Sequence, residues 1–140
     1  MKKLFVAFLL LLSQDLFAQS KDETAIRQLM SRQSEDWNNG RIDAFMNGYW
    51  KNDSLMFIGK TGITYGWNNT LNNYKKGYPD VTAMGKLSFT LLKIKRLSGK
   101  FYYVVGKWFL KRTIGDVGGY FNLLFQKVNG EWLIIADHSS

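Results

Sequence analysis

The spacing of apolar residues changes once along the chain, from a helical period to a period of two. In the first part, apolar residues recur three, four and seven positions apart, which places them on one face of a helix. The pattern predicts three amphipathic helices, with apolar faces formed by Ile26, Leu29, Met30 and Trp37; by Ile42, Phe45, Met46 and Tyr49; and by Trp67, Leu71, Tyr74 and Tyr78. Ser20 and Glu23 have the spacing of a capping box before the first helix, and Pro79 ends the third.

In the second part, apolar and polar residues alternate over long stretches, which is typical of half-buried strands. Four long strands are predicted at 87–97, 101–113, 120–128 and 132–138, after two short ones at 55–58 and 63–65. Ser98-Gly99-Lys100 and Asn129-Gly130 have the composition of hairpin turns. Gly106, inside the second long strand, predicts a bulge or a bend.

The order of these elements predicts the fold class. Helices that precede a series of hairpin-connected strands are typical of α+β proteins, because a meander needs one face covered by helices. We expect a curved, cone-shaped antiparallel sheet of about four long strands plus short ones, wrapped around three N-terminal helices. A cone of this kind leaves a cavity at its wide end.

The first 18 residues have the layout of a secretory signal peptide. Met1-Lys2-Lys3 is a basic start, nine apolar residues follow from Leu4 to Leu12, and Phe17-Ala18 precedes the best cleavage position. Nine apolar residues are too few to span a membrane, which takes about 18 or more. We therefore predict a signal peptide at 1–18, a single domain at 19–140, and export to the periplasm or the medium.

The composition excludes several kinds of site. The chain has no Cys and one His, which excludes disulfides, thiolate zinc sites, iron–sulfur clusters and any metal site with two histidines. No metal and no cofactor are therefore expected. The stretch from Lys86 to Arg112 holds eight basic residues and no acidic ones, and is interpreted as a solvated face that could attract an anionic partner or a membrane surface. Nucleic acid is not expected as a partner, because the chain has no recognised reader motif.

An ordered set of motifs links residues 22–140 to a known family. The motifs are Trp37-Asn38-Asn39-Gly40-Arg41, Gly66-Trp67, Tyr78-Pro79, Met84-Gly85-Lys86-Leu87-Ser88-Phe89, Gly106-Lys107-Trp108, Gly118-Gly119-Tyr120-Phe121-Asn122-Leu123 and the final Trp132 to Ser140. With this layout the chain resembles the nuclear transport factor 2-like superfamily (SnoaL-like, ketosteroid-isomerase-like). It is most similar to a small secreted branch of unknown function, related to the association domain of calcium/calmodulin-dependent kinase II. The resemblance implies an α+β cone with an apolar pocket and a homodimer packed through the sheet, but no single activity.

Asp137 and His138 are the candidate catalytic residues. The imidazole of His138 is the one side chain with an unperturbed pKa near neutrality, which suits acid–base chemistry. Adjacent residues of a strand point to opposite faces, so both can face one pocket only if the strand has ended or bulged. The sequence leaves open which of the two faces inward, and a purely structural role for His138 also stays open.

Aromatic residues are the candidate ligand contacts. Rings with a polar edge suit an apolar pocket that must also orient a small molecule, although core packing explains any single ring equally well. The candidate ligand-binding residues are Tyr49, Trp50, Trp67, Tyr74, Trp108 and Asn122. The two long central strands, 87–97 and 101–113, contain no Asp or Glu, so the paired acids of a ketosteroid isomerase are not visible and that activity is not transferred.

Three functions remain open at this point. The first is an exported protein that binds a hydrophobic or aromatic small molecule in the cone. The second is an enzyme of the isomerase, dehydratase or hydrolase type that uses His138 with Asp137 or a tyrosine. The third is a dimeric module that binds a protein partner.

Overall fold

The computed structural model describes residues 21–140, in which helices cover one face of a sheet. The elements are α1 (21–38), α2 (Ile42–Phe45), a 3-10 helix (Met46–Gly48), β1 (Met56–Gly59), β2 (Gly62–Tyr65), α3 (Trp67–Gly77), α4 (Val81–Met84), β3 (Lys86–Arg96), β4 (Phe101–Lys111), β5 (Val117–Val128) and β6 (Glu131–Ser139). The predicted signal peptide at 1–18, and Ser20 of the predicted capping box, lie outside the described residues.

The strands form one mixed sheet. Within residues 21–140 the sheet has six strands in the order β2-β1-β6-β5-β4-β3. Neighbouring strands are antiparallel except β1 and β6, which pair in parallel from Met56↔Ala136 to Ile58↔His138. The predicted α+β class is confirmed, but the prediction of an antiparallel sheet is wrong at β1, because residue alternation carries no information about strand direction.

The helices differ from prediction in number and length. The described chain has four α-helices, since the short α4 follows Pro79, whereas three were predicted. The second predicted helix is split into α2 and the 3-10 helix, and it ends at Gly48, so that Tyr49 is already extended with φ −98° and ψ 145°. The helical spacing that included Tyr49 is therefore accidental, and Tyr49 belongs to the segment that leads towards the sheet.

Side-chain hydrogen bonds fix the two ends of the helical layer. Asn38, at the end of α1, donates through Nδ2 to the carbonyl of Leu87 (3.0 Å) and accepts from its amide (2.6 Å), which ties α1 to the start of β3. Asp80 caps α4 by accepting from the amide of Ala83 at 2.8 Å. These bonds satisfy backbone groups that helix ends and strand starts would otherwise leave unpaired.

The inner face of the sheet carries alternating apolar residues that pack against the helices. In β4 to β6 its buried members are Tyr102, Val104, Leu110, Phe121, Leu123, Phe125, Trp132 and Ile134. The helical layer contributes Ile26, Leu29, Met30, Trp37, Ile42, Phe45, Met46 and Leu71. Burial of this surface is the main favourable contribution to folding.

Gly106 lies at an irregular point of the sheet, although the bulge is not its own. The register shift falls in the partner strand β3, between Leu91 and Lys93, where Leu92 is the additional residue opposite the Gly106 region. Gly106 pairs with Phe121 of β5, and a Cβ at Gly106 would collide with the Phe121 ring and with the carbonyl of Thr90. The strand therefore needs a glycine here so that the ring can lie across the backbone.

We expect Gly106→Ala to destabilise the protein by about 1–3 kcal/mol, because the new methyl overpacks the contact with Phe121 and the Thr90 carbonyl. Urea unfolding followed by tryptophan fluorescence measures the difference. Gly77→Ala is the matched control, since nothing lies within 4 Å of a Cβ at that position in α3, and it should cost nothing. Equal midpoints for wild type and Gly106→Ala would contradict the packing argument.

Candidate functional site

A large cavity lies between the helical layer and the inner face of the sheet. Its volume is about 970 Å³, and nine aromatic rings contribute to its walls. The rings that line it are Trp37, Phe45, Tyr49, Phe57, Tyr74, Tyr78, Phe89, Trp108 and Phe121. The lining residues that are exposed come from the β1–β2 turn, the end of α3, the β4–β5 loop and the end of β6, and these segments form the mouth.

Tyr74 of α3 is the centre of the aromatic wall. Its ring meets those of Trp37, Phe45 and Phe57 edge to face at centroid distances of 5.8, 5.3 and 5.7 Å. On another side it stacks with Tyr78 at 6.3 Å. Such pairs add about 0.5–1.5 kcal/mol each beyond their burial, so the wall is held in shape before any ligand enters.

Asp137 is a buried carboxylate in the cavity wall, 4% exposed. The phenol of Tyr49 donates to Oδ2 at 2.7 Å, and the hydroxyl of Ser139 donates to Oδ1 at 2.7 Å. The hydroxyl of Tyr74 lies 3.4 Å from that of Tyr49. Asp137, Tyr49 and Tyr74, which we call the polar centre, form a hydrogen-bonded chain in an otherwise apolar space.

A register shift in β6 decides that Asp137, and not His138, faces the cavity. Leu124 pairs with Ala136 but Phe125 pairs with Ile134, so Ile135 is an additional residue in β6. Beyond this bulge, Asp137 pairs with the inward-facing Leu123. His138 pairs instead with Asn122 on the outer face and is exposed. Strict alternation from Trp132 and Ile134 would have turned residue 138 inward.

The same part of β6 positions Tyr49. The Trp50 amide donates to the carbonyl of Ile134 at 2.9 Å, and Tyr49 forms an isolated parallel bridge with Ile134. The backbone of Tyr49 is thereby fixed beside the bulge, and its side chain reaches Asp137 from the helical side. Two segments that are far apart in the chain meet at one carboxylate.

Burial sets the ionisation of the polar centre. Burial raises the pKa of Asp137 from its ordinary value of 3.8 to about 6, against the opposing effects of the Ser139 and Tyr49 hydrogen bonds and the His138 charge. Burial, and then the charge of Asp137, also raise the pKa of Tyr49 and of Tyr74 far above the usual value for a phenol. Both tyrosines are therefore hydrogen-bond donors at neutral pH, while the carboxyl gains or loses its proton near neutrality.

The cavity brings together four of the eight residues singled out from the sequence and leaves four outside. Tyr49, Tyr74, Trp108 and Asp137 line it, whereas Trp50, Trp67, Asn122 and His138 do not. Trp67 instead donates from its indole to the carbonyl of Met46 at 2.9 Å, which ties α3 to the 3-10 helix. Asn122 and His138 lie on the outer face, because each is next in the chain to a residue that faces inward, Leu123 or Asp137.

The polar lining residues that the sequence patterns did not single out include Gln33, Arg112 and Ser139. Gln33 is 3% exposed and donates from Nε2 to the carbonyl of Phe45 at 3.1 Å. The sequence does mark Gln33, because it is a polar residue within the apolar face of the first helix. Once Asp137 is known to face inward, the alternation of a strand predicts that Ser139, two residues further on, faces inward as well. Arg112, at the end of a strand, carried no signal.

No group of three or more His, Cys, Asp or Glu side chains that could hold a metal ion occurs in residues 21–140. Among the helices of the described chain, none is long and apolar enough to cross a membrane.

Comparison with solved structures identifies the family. An NTF-2 like protein of unknown function from Shewanella oneidensis MR-1 is 46% identical, with a TM-score of 0.81, and the match covers 84% of this chain and 98% of that one. At this identity and coverage, the chain belongs to the NTF2-like family. No protein-family model matches the chain, and no curated protein sequence does so either.

More distant matches show the fold alone. An NTF2-like protein of unknown function from Pseudomonas putida KT2440 has a TM-score of 0.68 at 14% identity, with 87% of each chain covered. A ketosteroid isomerase-like protein from Erwinia carotovora atroseptica has a TM-score of 0.64 at 15% identity, covering 84% of this chain and 93% of that one. The superfamily inferred from the sequence motifs is confirmed by the Shewanella oneidensis match.

The raised pKa of Asp137 makes a prediction about stability. A carboxyl whose pKa is higher when folded binds more protons in the native state, so its contribution to stability is full at low pH and is lost as pH rises from about 4 through about 6. Wild type should therefore lose about 2 kcal/mol relative to Asp137→Asn between pH 4 and pH 7.

Urea unfolding of both proteins at the two pH values tests this, because the other titrating groups cancel in the difference. Asp53→Asn, an exposed carboxylate in the turn before β1, is the matched control and should show no such change. A pH-independent difference between wild type and Asp137→Asn would show that the carboxyl is not desolvated.

Proposed function

We propose that this protein binds an apolar, aromatic small molecule in the cavity and orients it through Asp137, Tyr49 and Tyr74. The observation that carries the proposal is a space of about 970 Å³, walled by rings, with a desolvated carboxylate in its lining. Binding pockets for small molecules have about 300–1,000 Å³ and a few convergent polar groups on apolar walls. Membership of the NTF2-like family agrees with this function without naming a ligand.

The polar centre restricts the chemistry of the ligand. Asp137 ionises near neutral pH and then accepts a hydrogen bond, and the two buried tyrosines donate. The Tyr49–Tyr74 oxygen distance of 3.4 Å is long for hydroxyl groups, so the Tyr74 hydroxyl is weakly held and free to meet a ligand. A phenol, an alcohol or an enol, which both donates and accepts, matches these groups.

Catalysis is the second proposal, and the near-neutral pKa of Asp137 is the observation that favours it. A general base works best when its pKa lies close to the working pH. The carboxyl of Asp137 would exchange a proton with the ligand while a tyrosine stabilises the resulting oxyanion. His138, on the exposed outer face, has no route to a bound ligand, so the catalytic pairing of His138 with Asp137 is not part of this proposal.

Export is also a proposal, resting on the signal-peptide pattern of residues 1–18. We also propose that the protein belongs to a small secreted branch of the family, which is related to the association domain of calcium/calmodulin-dependent kinase II. The sequence motifs, and the absence of thiols that an oxidising compartment would modify, support this assignment.

We further propose a homodimer packed through the outer face of the sheet. This face carries large apolar side chains that are more than two-fifths exposed in the single chain: Ile63, Tyr65, Phe109 and Tyr120. Several large exposed apolar residues on one sheet face are typical of an interaction surface. A second copy would cover them.

The ligand proposal predicts that 2-naphthol, an aromatic ring system with one hydroxyl, binds in the cavity. Asp137→Asn should weaken binding about tenfold, because a charged acceptor makes the stronger hydrogen bond, and Tyr74→Phe should weaken it severalfold. Isothermal titration calorimetry at pH 7.5 measures both. Tyr65→Phe makes the same change on the exposed outer face and should bind as wild type does.

Affinity that is unchanged in both Asp137→Asn and Tyr74→Phe would remove the polar centre from the binding site. Crystals soaked with the compound give an independent check, since the hydroxyl should lie within hydrogen-bond distance of Asp137. A naphthol molecule found elsewhere would contradict the proposal.

For the dimer, we expect light scattering at micromolar concentration to give twice the chain mass, and Tyr120→Glu to give a monomer. A buried, unpaired carboxylate at the interface costs too much for association. Leu97→Glu is the control, because Leu97 is also exposed but lies in the β3–β4 turn. A monomeric wild type, or a dimer that tolerates Tyr120→Glu, would contradict the interface.

A further inference from the structure

Positively charged side chains surround the mouth of the cavity. Lys60 in the β1–β2 turn, Lys76 in the last turn of α3, and Arg112 after β4 all line it. Lys60 and Lys76 are exposed, and Arg112 is half-buried. Asp116 in the β4–β5 loop is the carboxylate that lines the same region. Three elements that are separate in the chain thus converge with an excess of positive charge.

Within residues 21–140, none of these three cations forms an ion pair with a carboxylate. The ion pairs found within residues 21–140 involve Arg27, Arg41, Lys75 and Lys127. The contrast between neighbours in α3 is informative, because Lys75 binds Asp43 at 2.8 Å while Lys76 lines the cavity. The three cations of the mouth therefore have no acidic partner within residues 21–140, as is also true of most other basic residues there.

Arg112 is held in place by neutral groups. Its Nε donates to the carbonyl of Gly115 at 2.7 Å, and Nη1 donates to the carbonyl of Ala83 at 3.3 Å. Asp116 accepts from the backbone amide of Arg112 at 2.8 Å, and not from its guanidinium. The guanidinium is thus oriented beside the cavity by two carbonyls, and its charge stays available to a ligand.

The charge of Arg112 reaches the cavity wall. Burial raises the pKa of Tyr78, and the positive charge of Arg112 acts against that rise. Tyr78 lines the cavity and stacks on Tyr74, which belongs to the polar centre. A ligand lying along these rings would therefore have Asp137 at its inner end and Arg112 at its outer end.

We propose that the ligand is an aromatic anion whose carboxylate, sulfonate or phosphate group lies at the mouth, bound by Arg112 with Lys60 and Lys76, while its uncharged polar group meets Asp137. This inference rests on the proposed function, and it adds the charge and the direction of the ligand. The carboxylate of Asp137 excludes an anionic group from the interior, and the mouth attracts it, so the two ends of the ligand are distinguished.

The test compares 2-naphthol with 6-hydroxy-2-naphthoate, which differs from it by one carboxylate. Wild type should bind the naphthoate about tenfold more tightly in low salt, and the advantage should shrink at higher ionic strength. Arg112→Gln, Lys60→Gln and Lys76→Gln should each weaken naphthoate binding about two- to fivefold, since partly exposed ion pairs are weak individually. Each of the three should lose much less affinity for 2-naphthol, which has no anionic group for these cations to bind.

Lys93→Gln is the matched control. Lys93 is exposed in β3 on the outer face, and its removal changes the net charge equally. It should leave the affinity for both compounds unchanged. Thermal unfolding of each variant shows whether it is folded. If Arg112→Gln is unstable, Lys60→Gln and Lys76→Gln still decide the test, because both lysines are exposed.

The outcomes separate the inference from the function on which it rests. Equal affinity of wild type for the two compounds would overturn the anionic ligand and leave the binding function standing. An equal loss of naphthoate affinity in Lys93→Gln would overturn the mouth as the anion site, because net charge alone would explain it. If neither compound binds, the proposed binding function itself fails.

Discussion

The hydrogen bond between the Tyr49 phenol and the buried carboxylate of Asp137 is the interaction on which the rest of the site depends. A carboxylate removed from water is costly unless donors replace the solvent, and Tyr49 and Ser139 do so at 2.7 Å each. The bond joins the segment after the 3-10 helix to the last strand, so it adds a buried polar contact between the helical side and the sheet. The carboxylate of Asp137 is thereby buried with a hydrogen-bond donor for each of its two oxygens.

The cavity persists because its walls are stiff. Edge-to-face contacts join Trp37, Phe45 and Tyr74 across three helices, and Phe89 meets Phe121 across the sheet at 5.5 Å. Gly106 leaves room for the Phe121 ring where any side chain would collide with it. Because these rings pack against one another, they resist moving into the cavity and so help to keep its shape.

Periodicity was sufficient to predict the α+β class, the third helix and the long strands, because each rests on many residues of one spacing. It failed where a single residue decides. Ile135 shifts the register of β6, so the sequence could not tell whether Asp137 or His138 faces the cavity. Trp67 has the same helical period as Tyr74 but is used to tie α3 to the 3-10 helix. Arg112 enters the site through loop conformation, which no short-range pattern encodes.

The position of β2 at the edge of the sheet has a consequence for local opening of the fold. Among the strands, β2 pairs with β1 alone, over four residue pairs, and β1 is joined to β6 over three. Asn69 and Asn73 of α3 add two side-chain hydrogen bonds to β2. Its residues are mostly exposed, so separating this hairpin breaks few apolar contacts. Local opening costs far less than global unfolding in such a segment. Local opening is therefore expected first at this edge of the described sheet, since the strands from β3 to β6 are joined over eight to ten residue pairs each.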